Sequence, residues 1–338
     1  MKIRTIIRLL TIAALLLFVI PSCVKEGPAG LDGQDGTAGA DGVDGADGAD
    51  GTAFCMECHS TTVVDPIKSE LASSLHATGT SFAYAGGRES CSRCHSNEGF
   101  ITFIETSAAD TTTSSNSITC NACHSHGDMP TFQDEDGNAV FVRTTDPVEL
   151  IIDPTITIDY GNASNLCANC HQPRTAAPTP DGDGNFEITS SHYGPHHGPQ
   201  GTLLMGIGLY KFDGTATVPG VGAATHATAG CTTCHMYEGA HTFAEPYLDA
   251  CAQCHGEVDD FDINGKQTEI EGLMDELAAI LVTEGVLGDD GHVITGTYPV
   301  NVARGFYNYI AVEEDKSEGA HNPDYVIAIL KNTIEALQ

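Results

Sequence analysis

The chain has 338 residues with 13 Cys, 15 His, no Trp and 7% aromatic residues, so a conventional aromatic-rich core is not expected to be its main organiser. Its formal net charge of −32 argues against nucleic acid as a partner. The length accommodates one large or two ordinary domains once a leader is removed.

In chain order, Lys2, Arg4 and Arg8 precede an apolar run from Leu9 to Ile20, the pattern of a secretory leader and too short for a typical transmembrane helix. The run ends in Ile20-Pro21-Ser22-Cys23, which resembles a bacterial lipobox. Residues 1–22 are therefore read as a lipoprotein-type signal peptide and Cys23 as the lipidation site. The following Val24-Lys25-Glu26 resembles the charged tether that routes some lipoproteins to the outer surface.

From Gly27 to Gly51 glycine occupies every third position, the period of collagen. Pro28 is the only proline there, and Asp32, Asp35, Asp41, Asp44, Asp47 and Asp50 would repel one another in three aligned copies. Residues 23–53 are thus expected to form a lipid-anchored acidic stalk, about 30 Å long as a Gly-rich coil and about 80 Å if charge extends it.

The other cysteines fall into six CxxC pairs, each followed at once by histidine: Cys55/Cys58/His59, Cys91/Cys94/His95, Cys120/Cys123/His124, Cys167/Cys170/His171, Cys231/Cys234/His235 and Cys251/Cys254/His255. CxxCH is the attachment signature of c-type haem. The two thiols bond two vinyl positions of one porphyrin, and the next residue places its imidazole under the iron. Zinc knuckles need two CxxC pairs per metal and no regular trailing His, and thioredoxin-like pairs do not come in sixes. The expected cofactors are therefore six covalently bound haem c groups. With roughly 47 residues per haem, no group has an independent domain, and residues 54–338 are expected to fold as one hexahaem unit around closely packed macrocycles.

Nine histidines lie outside the motifs: His76, His126, His192, His196, His197, His226, His241, His292 and His321. Six would saturate every iron. His76, upstream of the second motif, His226, just before the fifth, and His241, just after it, are candidate distal ligands. His196 and His197 project in different directions and suit two different irons. His321 precedes Asn322-Pro323, which reads as the N-cap and first residue of a final helix with Tyr325, Ile329 and Ile334 on its apolar face. His126, His192 and His292 are held in reserve. Met56 lies inside a motif and Met236 directly follows one, so neither can cap its own haem and low-potential bis-histidine centres are expected.

Between the motifs, QDEDGNAVFV and PTPDGDGNFEI read as turns leading into short strands. The acidic residues Asp134, Glu135 and Asp136, and Asp181 and Asp183 with Asn185, fall short of a calcium loop and read as solvated turns. Ile270, Leu273, Met274, Leu277, Ile280 and Leu281 mark one face of a helix ending near Gly285, and that face is expected to pack on the haem stack. The expected class is mainly α with much irregular loop and a few short β-hairpins: a multihaem cytochrome c fold organised by six haems.

With these features in hand, residues 54 to about 330 resemble the exported multihaem c-type cytochromes of bacteria. CHMYEGAHTF and AHNPDYVIAIL are similar to recurrent segments of that group, which implies distal roles for His241 and His321. The HHGPQ segment resembles outer-membrane cytochromes that polymerise into filaments. The resemblance implies an electron carrier between membrane or periplasmic redox partners, such as other cytochromes, and an external acceptor. It would be held at the outer membrane, at the cell surface or otherwise facing the periplasm, by a lipid anchor only. The alternatives are a reductase of nitrite, hydroxylamine or a sulfur oxyanion with one open iron, for which no CxxCK variant exists here, and a filament subunit or stalk-mediated homo-oligomer.

Overall fold

The computed structural model describes residues 59–108, 111, 114–125 and 142–338. The chain divides into two units, Met1–Thr52 and Ala53–Gln338, and every described residue belongs to the second. The leader, the stalk with Cys23, the motif cysteines Cys55 and Cys58, the reserve His126 and the acidic residues Asp134, Glu135 and Asp136 lie outside the described residues.

As far as His255 the regular structure is short. It comprises α1 (Thr61–Ser73), α2 (Leu75–Thr78), α3 (Phe82–Ala85), α4 (Glu89–His95), α5 (Asn97–Thr106), α6 (Cys120–Cys123), α7 (Ser164–Ala168), α8 (Gln200–Met205), α9 (Thr225–Ala229), α10 (Cys231–His235) and α11 (Leu248–His255). Serine side chains start two of them. Ser74 Oγ accepts the Ala77 amide at 3.3 Å, and Ser96 Oγ accepts the Gly99 amide at 3.0 Å, each satisfying a donor that the first helical turn leaves free.

The chain then changes character. Three longer helices, α12 (Lys266–Thr283), α13 (Val300–Asp315) and α14 (Pro323–Leu337), pack together. Ile270, Met274, Leu277 and Leu281 recur at helical spacing and are buried in one cluster with Phe306, Tyr325, Ile329 and Leu330. This corrects two expectations. The α12 stripe faces α13 and α14 rather than the haem-binding motifs, because α14 is buried around most of its circumference and needs apolar partners on both sides. The C-terminal region therefore has an ordinary core despite the low aromatic content. Asn322 starts α14 as expected, its side chain accepting the Tyr325 amide at 3.3 Å with Pro323 in the first turn.

Strands β1 (Val148–Leu150) and β2 (Asp153–Ile158) form a local antiparallel hairpin with a bulge between Glu149 and Leu150. Strand β3 (Asn185–Ile188) follows the expected turn, in which Asp181 Oδ1 accepts the amides of Asp183 and Asn185. Its partner is not local. It pairs antiparallel with β4 (Gly296–Pro299), in the register Phe186 to Tyr298, and ties the loop after the fourth motif to the entry of α13. Among the described residues no helix is long and apolar enough to cross a membrane.

Candidate haem-binding centres

Residues at i, i+3 and i+4 share one face of a helix. Helix α4 carries Cys91, Cys94 and His95, α10 carries Cys231, Cys234 and His235, and α11 carries Cys251, Cys254 and His255. Helix α6 carries Cys120 and Cys123 with His124 as its C-cap, whereas Cys167 lies in α7 and Cys170 and His171 in the turn beyond it. None of the motif cysteines from Cys91 to Cys254 is paired in a disulfide. The motifs also meet one another: Cys94 Sγ donates to Asn169 O at 3.9 Å, and Cys170 Sγ to Arg93 O at 3.5 Å. Ser164, which opens α7, shares a 3.2 Å hydroxyl contact with Thr232 and accepts the Thr232 amide.

Five motif histidines each face a histidine from outside the motifs. The ring centroids are 5.9 Å apart for His95 and His196, 6.2 Å for His124 and His241, 6.1 Å for His171 and His76, 6.2 Å for His235 and His321, and 6.0 Å for His255 and His226. A ligating nitrogen lies about 2 Å from its metal and about 1 Å from its own ring centre, so two imidazoles on opposite sides of one metal have centroids about 6 Å apart. The pairs match that separation.

Hydrogen bonds at Nδ1 fix several tautomers. Nδ1 of His226 lies 2.8 Å from the Ala320 carbonyl, that of His235 3.0 Å from Ala244 O, and that of His241 2.7 Å from Gly239 O. Nδ1 of His171 meets Gln200 Oε1 at 3.2 Å, while Gln200 Nε2 donates to Glu314 O, and Nδ1 of His321 meets Asp315 Oδ1 at 2.8 Å. In each case a proton held on Nδ1 leaves the Nε2 lone pair for a metal. Burial holds His76 and His196 down at about 4, with help from His171 in the first case and Arg174 in the second, and burial also lowers His95, His171 and His235. These rings are therefore neutral, as ligation requires. His321 differs: burial pushes it down, but the charge and hydrogen bond of Asp315 outweigh that and raise it.

The His196 segment is strained into place. His196 and His197 have φ of 73° and 41°, the left-handed region that non-glycine residues rarely adopt and that tends to persist at functional sites. Gly198 and Gly201 let the segment lie on the fourth motif, since a Cβ on Gly201 would come within 2.7 Å of the His171 carbonyl. His197 is not among the facing pairs. Its ring lies 5.3 Å from that of His196, and its Nδ1 is 2.6 Å from Glu314 Oε2. His59 is exposed. The reserves His192 and His292 are also exposed, His292 being bonded to Asp290.

A c-type haem suits these residues. Its porphyrin supplies four ligands, so the protein needs only two, and among the described residues no group of three or more His, Cys, Asp or Glu forms a metal cage. Arg93 lies beside Cys94 with its buried Nε lacking a partner, an orphan donor suited to a propionate. Sequence reasoning missed Gln200, Glu314 and Asp315. The acidic run Glu313-Glu314-Asp315, a few residues before His321, was the available signal.

No family model and no curated protein matches the chain. Among solved structures it is similar to the outer cell wall cytochrome OcwA, with a TM-score of 0.51 and 18% identity over 80% of this chain and 50% of that one. The described fold is cytochrome-like. The chain spans about half the length of that cytochrome.

Proposed function

We propose that the chain is an exported electron-transfer protein that holds six c-type haems, each between two histidines. The observation that carries this reading is the set of five imidazole pairs at the separation of bis-histidine ligation. In chain order, His196 is the distal ligand of the second site, His241 of the third, His76 of the fourth, His321 of the fifth and His226 of the sixth. His197 is assigned to the first, with Cys55, Cys58 and His59. The haem supplies a one-electron ferric/ferrous couple in each site. The residues of this chain would provide thioether anchors, saturate both axial positions and bring the sites together, the second and fourth motifs meeting through Cys94 and Asn169 and the fourth and fifth through Ser164 and Thr232. Saturated axial positions leave no place for a substrate, which favours carriage over catalysis.

Lipidated Cys23 and the acidic stalk would hold this unit at the outer membrane, where redox proteins or external acceptors are its partners. EPR of the oxidised protein, with haem quantified per chain, tests the reading. Six low-spin haems are expected. A stoichiometric high-spin signal that shifts with nitrite or hydroxylamine would instead identify a reductase.

A further inference from the structure

Asp315 is the last residue of α13, only 2% exposed, with its side chain fully buried. Two general costs oppose that placement. A carboxylate loses its hydration on burial, and the C-terminus of a helix repels negative charge. Its only ion pair among the described residues is with His321 Nδ1, at 2.8 Å, and its other oxygen accepts the Ser317 hydroxyl. Among the described residues no Lys or Arg forms an ion pair with it. One axial residue of the fifth site, His321, thus bonds directly to a buried carboxylate, and His235 faces that same ring.

The Nδ1 bonds of His226, His235, His241 and His171 go to neutral acceptors: the carbonyls of Ala320, Ala244 and Gly239 and the amide of Gln200. His197 has a carboxylate partner in Glu314, but its side chain is 70% exposed and water screens that pair.

On the bis-histidine reading above, we propose that Asp315 is a positioning residue that orients His321 and makes the fifth site lower in potential than the fourth and sixth. An anion bonded to Nδ1 gives the imidazole imidazolate character and stabilises the more positive, ferric state. Electrons would therefore rest on the fourth and sixth sites in preference to the fifth.

The test is a potentiometric titration of the full holoprotein followed by EPR and visible absorption. A His321→Met variant identifies the fifth site by its altered signal. Asp315→Asn keeps the shape and an oxygen acceptor for His321 while removing the charge. It is expected to raise the potential of that component alone and to leave it low-spin. Ser317→Ala removes the hydroxyl that donates to the carboxylate and accepts the His321 amide, keeps the Asp315–His321 side-chain bond, and should shift the same component downward. Potentials unchanged in both variants, or all components moving together, would overturn the proposal. A wild-type protein with a high-spin fifth site would refute the bis-histidine reading instead, so the two failures are distinguishable.

Discussion

At the residue scale each paired centre depends on one long-range imidazole, and removing it has a specific signature. His76→Ala is expected to convert one low-spin haem to high-spin and leave the others unchanged, as read by EPR. His76 also packs edge-on against Phe243 at 4.9 Å, and the same ring lies 5.9 Å from His241. Phe243→Ala should therefore perturb the low-spin signals of the third and fourth sites together, whereas His76→Ala alters only the fourth. At Gly201 a side chain would meet the backbone of His171 rather than a movable group. Gly201→Ala is expected to cost about 1–3 kcal/mol, measured as a lowered Tm. The motif residues were legible in the sequence because the thioether attachment proposed for them would fix their spacing within five positions. Asp315 and Gln200 were not, because their roles arise only when α13 is brought beside the His196 segment and the loop before α14.

At the element scale the chain divides its work. Short helices present the motifs, and three longer helices supply the aliphatic core. Leu277 and Leu330 are fully buried in that core. Leu277→Ala is expected to destabilise the protein by about 2–5 kcal/mol in thermal unfolding while leaving the low-spin EPR signals of the intact protein unchanged. The periodicity of α12 was readable from its sequence, and so was the start of α14 at Asn322 and Pro323. The partner of α12 was not, because an apolar stripe states that it will be covered and not by what. The β3–β4 pairing was hidden for a similar reason: the turn at Asp181 announces a strand, but its partner lies beyond two further motifs.

At the scale of the whole molecule, the net charge of −32 governs encounters. His255 is exposed and borders a hollow lined by Glu257, Asp259, Asp260 and Asp262, which brings the sixth site to an acidic surface. Electron exchange with a cationic redox partner is expected to slow as salt rises, since screening becomes effective beyond about 8 Å at physiological ionic strength. Stopped-flow rates across a salt series measure this, and replacing Asp259 and Asp260 with lysine should flatten the dependence.

The five imidazole pairs have a consequence for assembly. Each joins residues on opposite sides of at least one other CxxCH motif, so none can close from a contiguous segment. His95 must wait for His196, His124 for His241 and His235 for His321, the last lying within sight of the C-terminus. On the ligation proposed above, an early centre would have one axial position unclaimed during maturation, with His192 and His292 exposed as competitors for it. Once closed, the interleaved links restrain the unfolded chain as cross-links do, each removing loop entropy. Misligation and its correction, rather than the formation of any helix, would then set the pace at which this protein reaches its final form.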